Sequence, residues 1–128
     1  MDAREAYAYA LLRIVPDAAR GEAVNAGIVF YCRRDQFLEI RWELPIAALA
    51  VVAPEIELDP LRANLAALQR IAAGDRDAGP VAAQDQSERF HWLVAPSSTL
   101  VQPGPVHTGL TAEPAATLTH LFSELVLP

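Results

Sequence analysis

The chain has no lysine, only one cysteine and no long apolar run, and the last two features exclude particular sites and a membrane span. With Cys32 alone, neither an internal disulfide nor a zinc site built from cysteines is possible. Cys32 lies in a predicted strand, where we expect it to be buried and unreactive. The longest apolar run, residues 46–53, is much shorter than the roughly 18 residues that a membrane-spanning helix requires. The N-terminus also lacks the pattern of a signal peptide, so we expect a cytoplasmic protein with no membrane segment.

The positive charge comes entirely from arginine and is outweighed by acidic residues. Ten arginines stand against sixteen Asp and Glu residues, which gives a formal net charge of −6. Nucleic-acid binding depends mainly on cationic contacts with phosphate, so an acidic chain is poorly suited to it. Arginines and tyrosines in the first half of the chain could stack on the bases of a single-stranded nucleic acid. The acidic residues between them would neutralise most of the arginine charge. We do not expect a nucleic-acid partner.

Strand-like patterns dominate the first third of the chain. Three runs are rich in β-branched, aromatic or alternating apolar residues: 7–15, 24–32 and 37–44. The links between these runs are short, which favours an antiparallel meander over parallel pairing. Further strands are predicted from 90–110, at residues 90–95 and 99–102, with Asp85 capping a single helical turn before them.

Helical patterns fill the middle and the end of the chain. Residues 45–53 suit a short helix. Asp59 followed by Pro60 predicts the N-cap and first residue of a longer helix that ends at Gly74. Residues 114–126 have apolar side chains at helical spacing. With 128 residues and 52% apolar content, we predict one α+β domain: an antiparallel sheet of four to five strands packed on one face by the two longer helices.

Polar and reactive side chains concentrate between residues 89 and 109, in a segment predicted to be strand and loop. A guanidinium, hydroxyl groups and histidines can all donate hydrogen bonds to an anion. Gly104 and Gly109 would let backbone amides approach a ligand. The predicted ligand or partner contacts are Arg89, His91, Ser97, Ser98, Thr99, Gln102, His107 and Thr108. A purely structural role for these residues, in turns and internal hydrogen bonds, remains open.

No catalytic or metal site is assigned. A serine of this segment with His107 and Asp85 has the residue types of a triad, but the strand–turn–helix elbow around a nucleophile is absent. His107 is the one candidate for a general acid or base. His91, His107 and His120 lack the spacing of zinc motifs, so we expect no metal and no cofactor.

A second polar segment, with Glu22, Asn25 and Gly27, lies at the start of the second strand. Asn25 and Gly27 are typical of a β-bulge or tight turn, because both tolerate positive φ. Alternatively, Gly27 leaves room for a large neighbour such as Trp42. Glu22 and Asn25 would border the polar cluster described above if the second strand lay beside the fourth.

Four strings distributed over nearly the whole chain stand out together. They are YAYALLRIVP at 7–16, RGExxNxGIVFYC at 20–32, RFHWLVAP at 89–96 and VQPGPVHTGL at 101–110. Together they resemble a bacterial family known as domain of unknown function 3037. The resemblance implies no activity. It implies genes encoded beside HipA-like kinases, and therefore a partner or regulator of such a kinase.

These observations favour a non-catalytic interaction or regulatory module with a protein partner and a polar contact surface at residues 89–109. A small anionic ligand also suits the same surface. The alternative is a small enzyme for a phosphorylated or otherwise anionic substrate, in which Arg89 holds the anion and His107 transfers a proton. The enzyme requires Arg89 and His107 to converge on one concave pocket.

Overall fold

A computed structural model describes residues 3–128, which form an antiparallel sheet with helices on both of its faces. The strands are β1 Glu5–Ile14, β2 Val24–Cys32, β3 Phe37–Trp42, β4 Val101–Pro103 and β5 His107–Thr111. The α-helices of this range are α1 Ile46–Val52, α2 Leu58–Ala73, α3 Gln86–Leu93 and α4 Pro114–Leu125. The predicted α+β class and the antiparallel sheet of four to five strands are confirmed, and the sheet has five.

The predicted meander forms one half of the sheet. β1 pairs with β2, and β2 pairs with β3, so the strand order is β3-β2-β1. The other side of β1 is shared by β4 and β5. Leu12 lies opposite Pro103 whereas Tyr9 lies opposite His107, so the register changes by one residue between them. Residues 104–106 therefore bulge out of what is otherwise one edge strand.

The two faces of the sheet have separate cores. Alternate residues of β1 point to opposite sides: Ala10, Leu12 and Ile14 pack with α2 and α3, whereas Tyr7 and Tyr9 pack beside α4. The prediction that the two longer helices share one face is therefore wrong. β2 is buried along seven consecutive residues, and a strand that is apolar on both sides needs cover on both sides.

The bulge predicted at Asn25 and Gly27 is present, but for a different reason. Ala26 has no partner in β1, which makes it the extra residue of the bulge. Neither Asn25 nor Gly27 has a positive φ. The alternative reason is confirmed: a Cβ added to Gly27 would lie 2.9 Å from the carbonyl oxygen of Arg41 and 3.0 Å from the Cβ of Trp42.

The strand predicted at residues 90–95 is wrong, because most of this segment belongs to α3. Asp85 is the N-cap, and its side chain accepts a hydrogen bond from the backbone N–H of Glu88 at 2.8 Å. This cap and the Glu at the third helical position outweigh a short alternating pattern. The buried side chains of α3 have helical spacing: Arg89, Phe90 and Leu93.

The remaining helices lie close to their predicted ranges. α1 and α4 agree with residues 45–53 and 114–126 to within one residue at each end. α2 ends as predicted at Gly74, which has a left-handed φ of 77°. Its start differs, because Glu57 is the N-cap and Asp59 lies in the first turn, where its charge still favours the helix.

No helix within residues 3–128 has the length and apolarity needed to cross a membrane.

Candidate functional site

The sheet divides the polar cluster predicted at residues 89–109. Arg89 belongs to α3, and its neighbour Phe90 packs in the core under α2. His107 belongs to β5, and its ring centroid lies 5.2 Å from that of Tyr9, on the side of the sheet that α4 covers. Arg89 and His107 therefore lie on opposite faces of the sheet and do not converge on one pocket.

Arg89 is 9% exposed, and its guanidinium binds backbone oxygens. Nη1 donates to the carbonyl of Gln84 at 2.7 Å and Nη2 to the carbonyl of Ala72 at 3.3 Å. Ala72 is in the last turn of α2, where carbonyls lack partners within the helix. A Cβ added to Gly74 would lie 3.4 Å from Nη2, so the guanidinium also occupies the space beside this glycine. Arg89 therefore connects the end of α2 to α3.

His91 is exposed on α3, and its Nδ1 lies 2.7 Å from the carbonyl oxygen of Ser87, one turn earlier. The adjacent Trp92 is also exposed but faces a cavity of about 510 Å³ between α2, α3 and β4. We call this the α2–α3–β4 cavity. It is lined by Leu12, Asn64, Leu68, Trp92, Leu93, Ala95, Pro96, Ser97, Ser98, Thr99, Val101 and Pro103. None of these side chains is charged, so the cavity suits neutral groups rather than anions.

Three predicted contact residues, Ser97, Ser98 and Thr99, do lie together at this cavity. The hydroxyls of Ser97 and Thr99 are 2.9 Å apart, and Thr99 Oγ1 donates to the carbonyl of Val101 at 2.8 Å. These bonds fix the loop between α3 and β4. The Ser98 hydroxyl has no hydrogen-bond partner within the described chain.

Gln102, His107 and Thr108 belong to the edge formed by β4 and β5. The amide of Gly104 donates to the carbonyl of Leu11 at 2.7 Å. Because backbone groups alternate in direction along a strand, the odd-numbered residues of β1 all direct their N–H and C=O groups toward β4 and β5. Their partners in β5 are His107, Gly109 and Thr111. By alternation, the backbone groups of Thr108 and Leu110 point away from the sheet. No residue between 3 and 128 is hydrogen-bonded to them.

Exposed apolar side chains accompany this edge. Val106 is 46% exposed and Leu110 is 57% exposed. Residues 100–112 contain no Asp, Glu or Arg, so this segment itself adds no acidic or arginine side chain to the surface. We call the outward backbone of Thr108 and Leu110, with the side chains of Val106 and Leu110, the β5 edge.

The opposite edge of the sheet, at β3, is covered by α2. Gln69 donates from Nε2 to the carbonyl of Ile40 at 3.0 Å, and its Oε1 accepts from Nε1 of Trp42 at 3.2 Å. A side chain therefore satisfies the central outward carbonyl of β3. Nothing comparable covers the β5 edge in the part of the chain that the structure describes.

The two glycines of the predicted cluster accommodate side chains of β1. A Cβ added to Gly109 would lie 2.5 Å from Cζ of Tyr7, whose ring covers the glycine. A Cβ added to Gly104 would lie 3.3 Å from Nε of Arg13. Each glycine therefore leaves the room that a side chain of β1 occupies.

Cys32 is fully buried in the core under α4, as predicted. Burial raises the pKa of its thiol above the ordinary value, and the charges of Asp35 and Glu5 act in the same direction. The thiol therefore stays protonated near neutral pH and lacks the thiolate character of a reactive cysteine. No group of three His, Cys, Asp or Glu side chains within residues 3–128 is placed to hold a metal ion.

Two residues outside the predicted contact set have polar groups without partners. Asn64, on α2, lines the α2–α3–β4 cavity, and no residue of the described chain binds its amide. Arg13, in β1, has a buried Nε without an acceptor. The sequence contains a weak signal for Arg13, because it is a charged residue between the core residues Leu12 and Ile14.

Comparison with known proteins gives a family. A family model described as protein of unknown function (DUF3037) matches residues 9–126, which run from β1 to the end of α4. No curated protein and no solved structure matches the chain. The resemblance found in the sequence is thus confirmed, and the match covers nearly the whole fold described above. The chain belongs to the DUF3037 family of proteins of unknown function.

Proposed function

We propose that the protein is a non-catalytic interaction module of the cytoplasm, and that a protein partner adds a strand to the β5 edge. The supporting observation is the outward backbone of Thr108 and Leu110, which has no partner within residues 3–128. An edge strand with unpaired N–H and C=O groups is a template for another strand. Strand addition of this kind is a recurring mode of peptide recognition.

The surface also restricts the chemistry of the partner strand. β5 has five residues, so a partner segment of similar length fits it. The uncharged segment 100–112 offers no ion pair, whereas Val106 and Leu110 offer apolar contact area. An uncharged segment with alternating aliphatic side chains therefore suits this edge. The resemblance to a family encoded beside HipA-like kinases favours such a kinase as the source of the segment.

The alternative, a small enzyme for an anionic substrate, has less support from the geometry. Arg89 binds the carbonyls of Ala72 and Gln84 on one side of the sheet, and His107 lies beside Tyr9 on the other. A general acid or base must lie within hydrogen-bond reach of the group that it serves. These two residues cannot act together on one small substrate.

Binding to a HipA-like kinase, measured by isothermal titration calorimetry, tests the proposal. Thr108→Pro removes an outward N–H without removing a bond to β1, and Leu110→Asp places a charge against the partner strand. We expect each variant to weaken binding about tenfold or more, which corresponds to about 1.4 kcal/mol.

Val51→Asp is the matched control, because Val51 is an apolar residue of α1 that is 81% exposed and distant in sequence from β5. It should bind as the wild type does. Circular dichroism of all three variants shows whether they are folded. Equal affinity in the wild type, Thr108→Pro and Leu110→Asp would refute strand addition at this edge. A complete absence of binding would refute the kinase as the partner.

A further inference from the structure

Arg13 lies in the interior of β1 and faces the side of the sheet that α4 covers. Its neighbours Leu12 and Ile14 both pack in the opposite core, and side chains alternate along a strand. Across the sheet, Arg13 lies opposite Asn25 in β2 and opposite Gln102 in β4. Side chains of directly opposite residues share a face, so these three form one row, which we call the Arg13 row.

The guanidinium of Arg13 has no partner in the described chain. Its Nε is buried and finds no acceptor. The neighbouring amides donate elsewhere: Asn25 to the carbonyl of Leu125 at 3.1 Å, and Gln102 to the carbonyl of Thr99 at 2.8 Å. A partly buried cation without a counter-charge is unfavourable. The fold therefore retains a group whose compensation does not come from residues 3–128.

The other arginines show how unusual this is. Four form ion pairs with acidic side chains: Arg20, Arg34, Arg41 and Arg70. The Nε of Arg89 is also buried without an acceptor, but its Nη1 and Nη2 donate to two backbone carbonyls. Three that show no partner are exposed, so water solvates them: Arg33, Arg62 and Arg76. Within residues 3–128, Arg13 alone is both partly buried and unpaired.

The Arg13 guanidinium packs beside Gly104. A Cβ added to Gly104 would lie 3.3 Å from Nε, 3.4 Å from Cζ and 3.6 Å from Nη2, so the guanidinium occupies the space that a side chain at position 104 would need. Of its three nitrogens, only Nε is both buried and unpaired. Nη1 and Nη2 therefore remain open to a ligand. They offer two parallel donors at the spacing of two carboxylate or phosphate oxygens.

We propose that Arg13 is an anion-binding residue that receives a carboxylate or phosphate group through Nη1 and Nη2, with Gly104 leaving the space that the guanidinium occupies. The site lies on the α4 side of the sheet and does not depend on strand addition at the β5 edge. Its neighbours Asn25 and Gln102 are uncharged, so no carboxylate of the row competes with the incoming anion.

Inorganic phosphate and acetate are the probes, each added at constant ionic strength by replacing chloride. Two-dimensional ¹⁵N–¹H spectra report the Arg13 Nε–Hε signal and the backbone amides of Gln102 and Gly104. We expect saturable shifts at these three positions. If only phosphate gives saturable shifts, the ligand is a phosphate group. If only acetate does, the ligand is a carboxylate. Shifts that stay linear with both probes overturn the proposal.

Variants separate the site from general electrostatics. Arg13→Gln should abolish the saturable shift, and Arg13→Lys should weaken it about tenfold or more, because an ammonium group does not reproduce the two-point contact. Gly104→Ala displaces the guanidinium with the charge unchanged and should weaken binding as well. Arg62→Gln removes an exposed, unpaired arginine of α2 and should change nothing.

Stability without ligand gives a second readout. We expect Arg13→Gln to melt at the same temperature as the wild type or higher, because it removes an uncompensated cation. Phosphate or acetate should raise the melting temperature of the wild type but not of Arg13→Gln. A strong destabilisation by Arg13→Gln, or equal anion effects in both proteins, means that Arg13 is a structural residue.

Discussion

The guanidinium of Arg89 lies 3.3 Å from the carbonyl oxygen of Ala72, and this contact ties α3 to the last turn of α2. The amide of Gly74 already serves the carbonyls of Arg70 and Ile71 in that turn. A backbone amide and an arginine side chain therefore share the task of satisfying the end of one helix. The same arginine reaches the carbonyl of Gln84, just before α3.

We expect Arg89→Met to reduce the free energy of unfolding by about 2–4 kcal/mol, because two charge-assisted hydrogen bonds are lost and buried carbonyls stay unpaired. Urea denaturation measures the effect. Arg62→Met, at an exposed position of α2, is the matched control and should stay within about 0.5 kcal/mol of the wild type. If the two variants are equally stable, Arg89 has no structural role, and the ligand contact suggested by the sequence becomes the better interpretation.

Gly109 and Tyr7 form a cross-strand pair in which the ring covers the glycine. Gly109→Ala should destabilise the fold by about 1–3 kcal/mol, because the new methyl group overlaps the ring and forces it to move. In a Tyr7→Ala background the same change should have little effect. Chemical denaturation of the four proteins gives the coupling energy. A coupling energy near zero would show that the ring does not restrict residue 109.

The parts of the fold that were predictable from sequence are those fixed by local patterns. The continuous apolar run of β2, the left-handed Gly74 and the helical spacing of α4 each specify their element within a few residues. α3 was not predictable by alternation, because Phe90 and Leu93 are buried at helical spacing while Trp92 between them is exposed.

The candidate site was less predictable, because its properties depend on contacts between distant residues. Arg89 looks like an anion-binding residue until α2 places the carbonyl of Ala72, seventeen residues away, beside it. Arg13 looks like an ordinary strand residue until the sheet surrounds it with Asn25 and Gln102 and no acid. Sequence patterns report which groups are present, but the partner of each group depends on tertiary structure.

The raised pKa of Cys32 gives a prediction for alkaline pH. Because the pKa is raised in the folded protein, the folded state binds the proton more tightly than the unfolded state does. The thiol therefore contributes stability that is fully present below its ordinary pKa of 9.0 and is lost as the pH rises through the folded value. We expect the melting temperature to fall more steeply above pH 9 in the wild type than in Cys32→Ala.

The same burial should protect the thiol from reagents. Reaction with a thiol-specific disulfide reagent at pH 8 should be slow in the native protein and fast in urea. A rapid reaction under native conditions, without unfolding, would contradict the buried position of Cys32.

Asn64 and Gln69 are two polar residues of α2 with opposite hydrogen-bonding states. Gln69 binds the carbonyl of Ile40 and Nε1 of Trp42, whereas the amide of Asn64 has no partner within residues 3–128. We expect Asn64→Leu to raise the free energy of unfolding by about 0.5–1.5 kcal/mol, because leucine adds apolar contact at the α2–α3–β4 cavity and is the better helix former.

Gln69→Leu is the matched control on the same helix. It should lower stability by about 1–2 kcal/mol, since the carbonyl of Ile40 and the indole N–H of Trp42 both lose a partner. Thermal melts of the two variants decide between the alternatives. If Asn64→Leu is as destabilising as Gln69→Leu, the amide of Asn64 has a stabilising contact, and the α2–α3–β4 cavity must be more polar than its lining indicates.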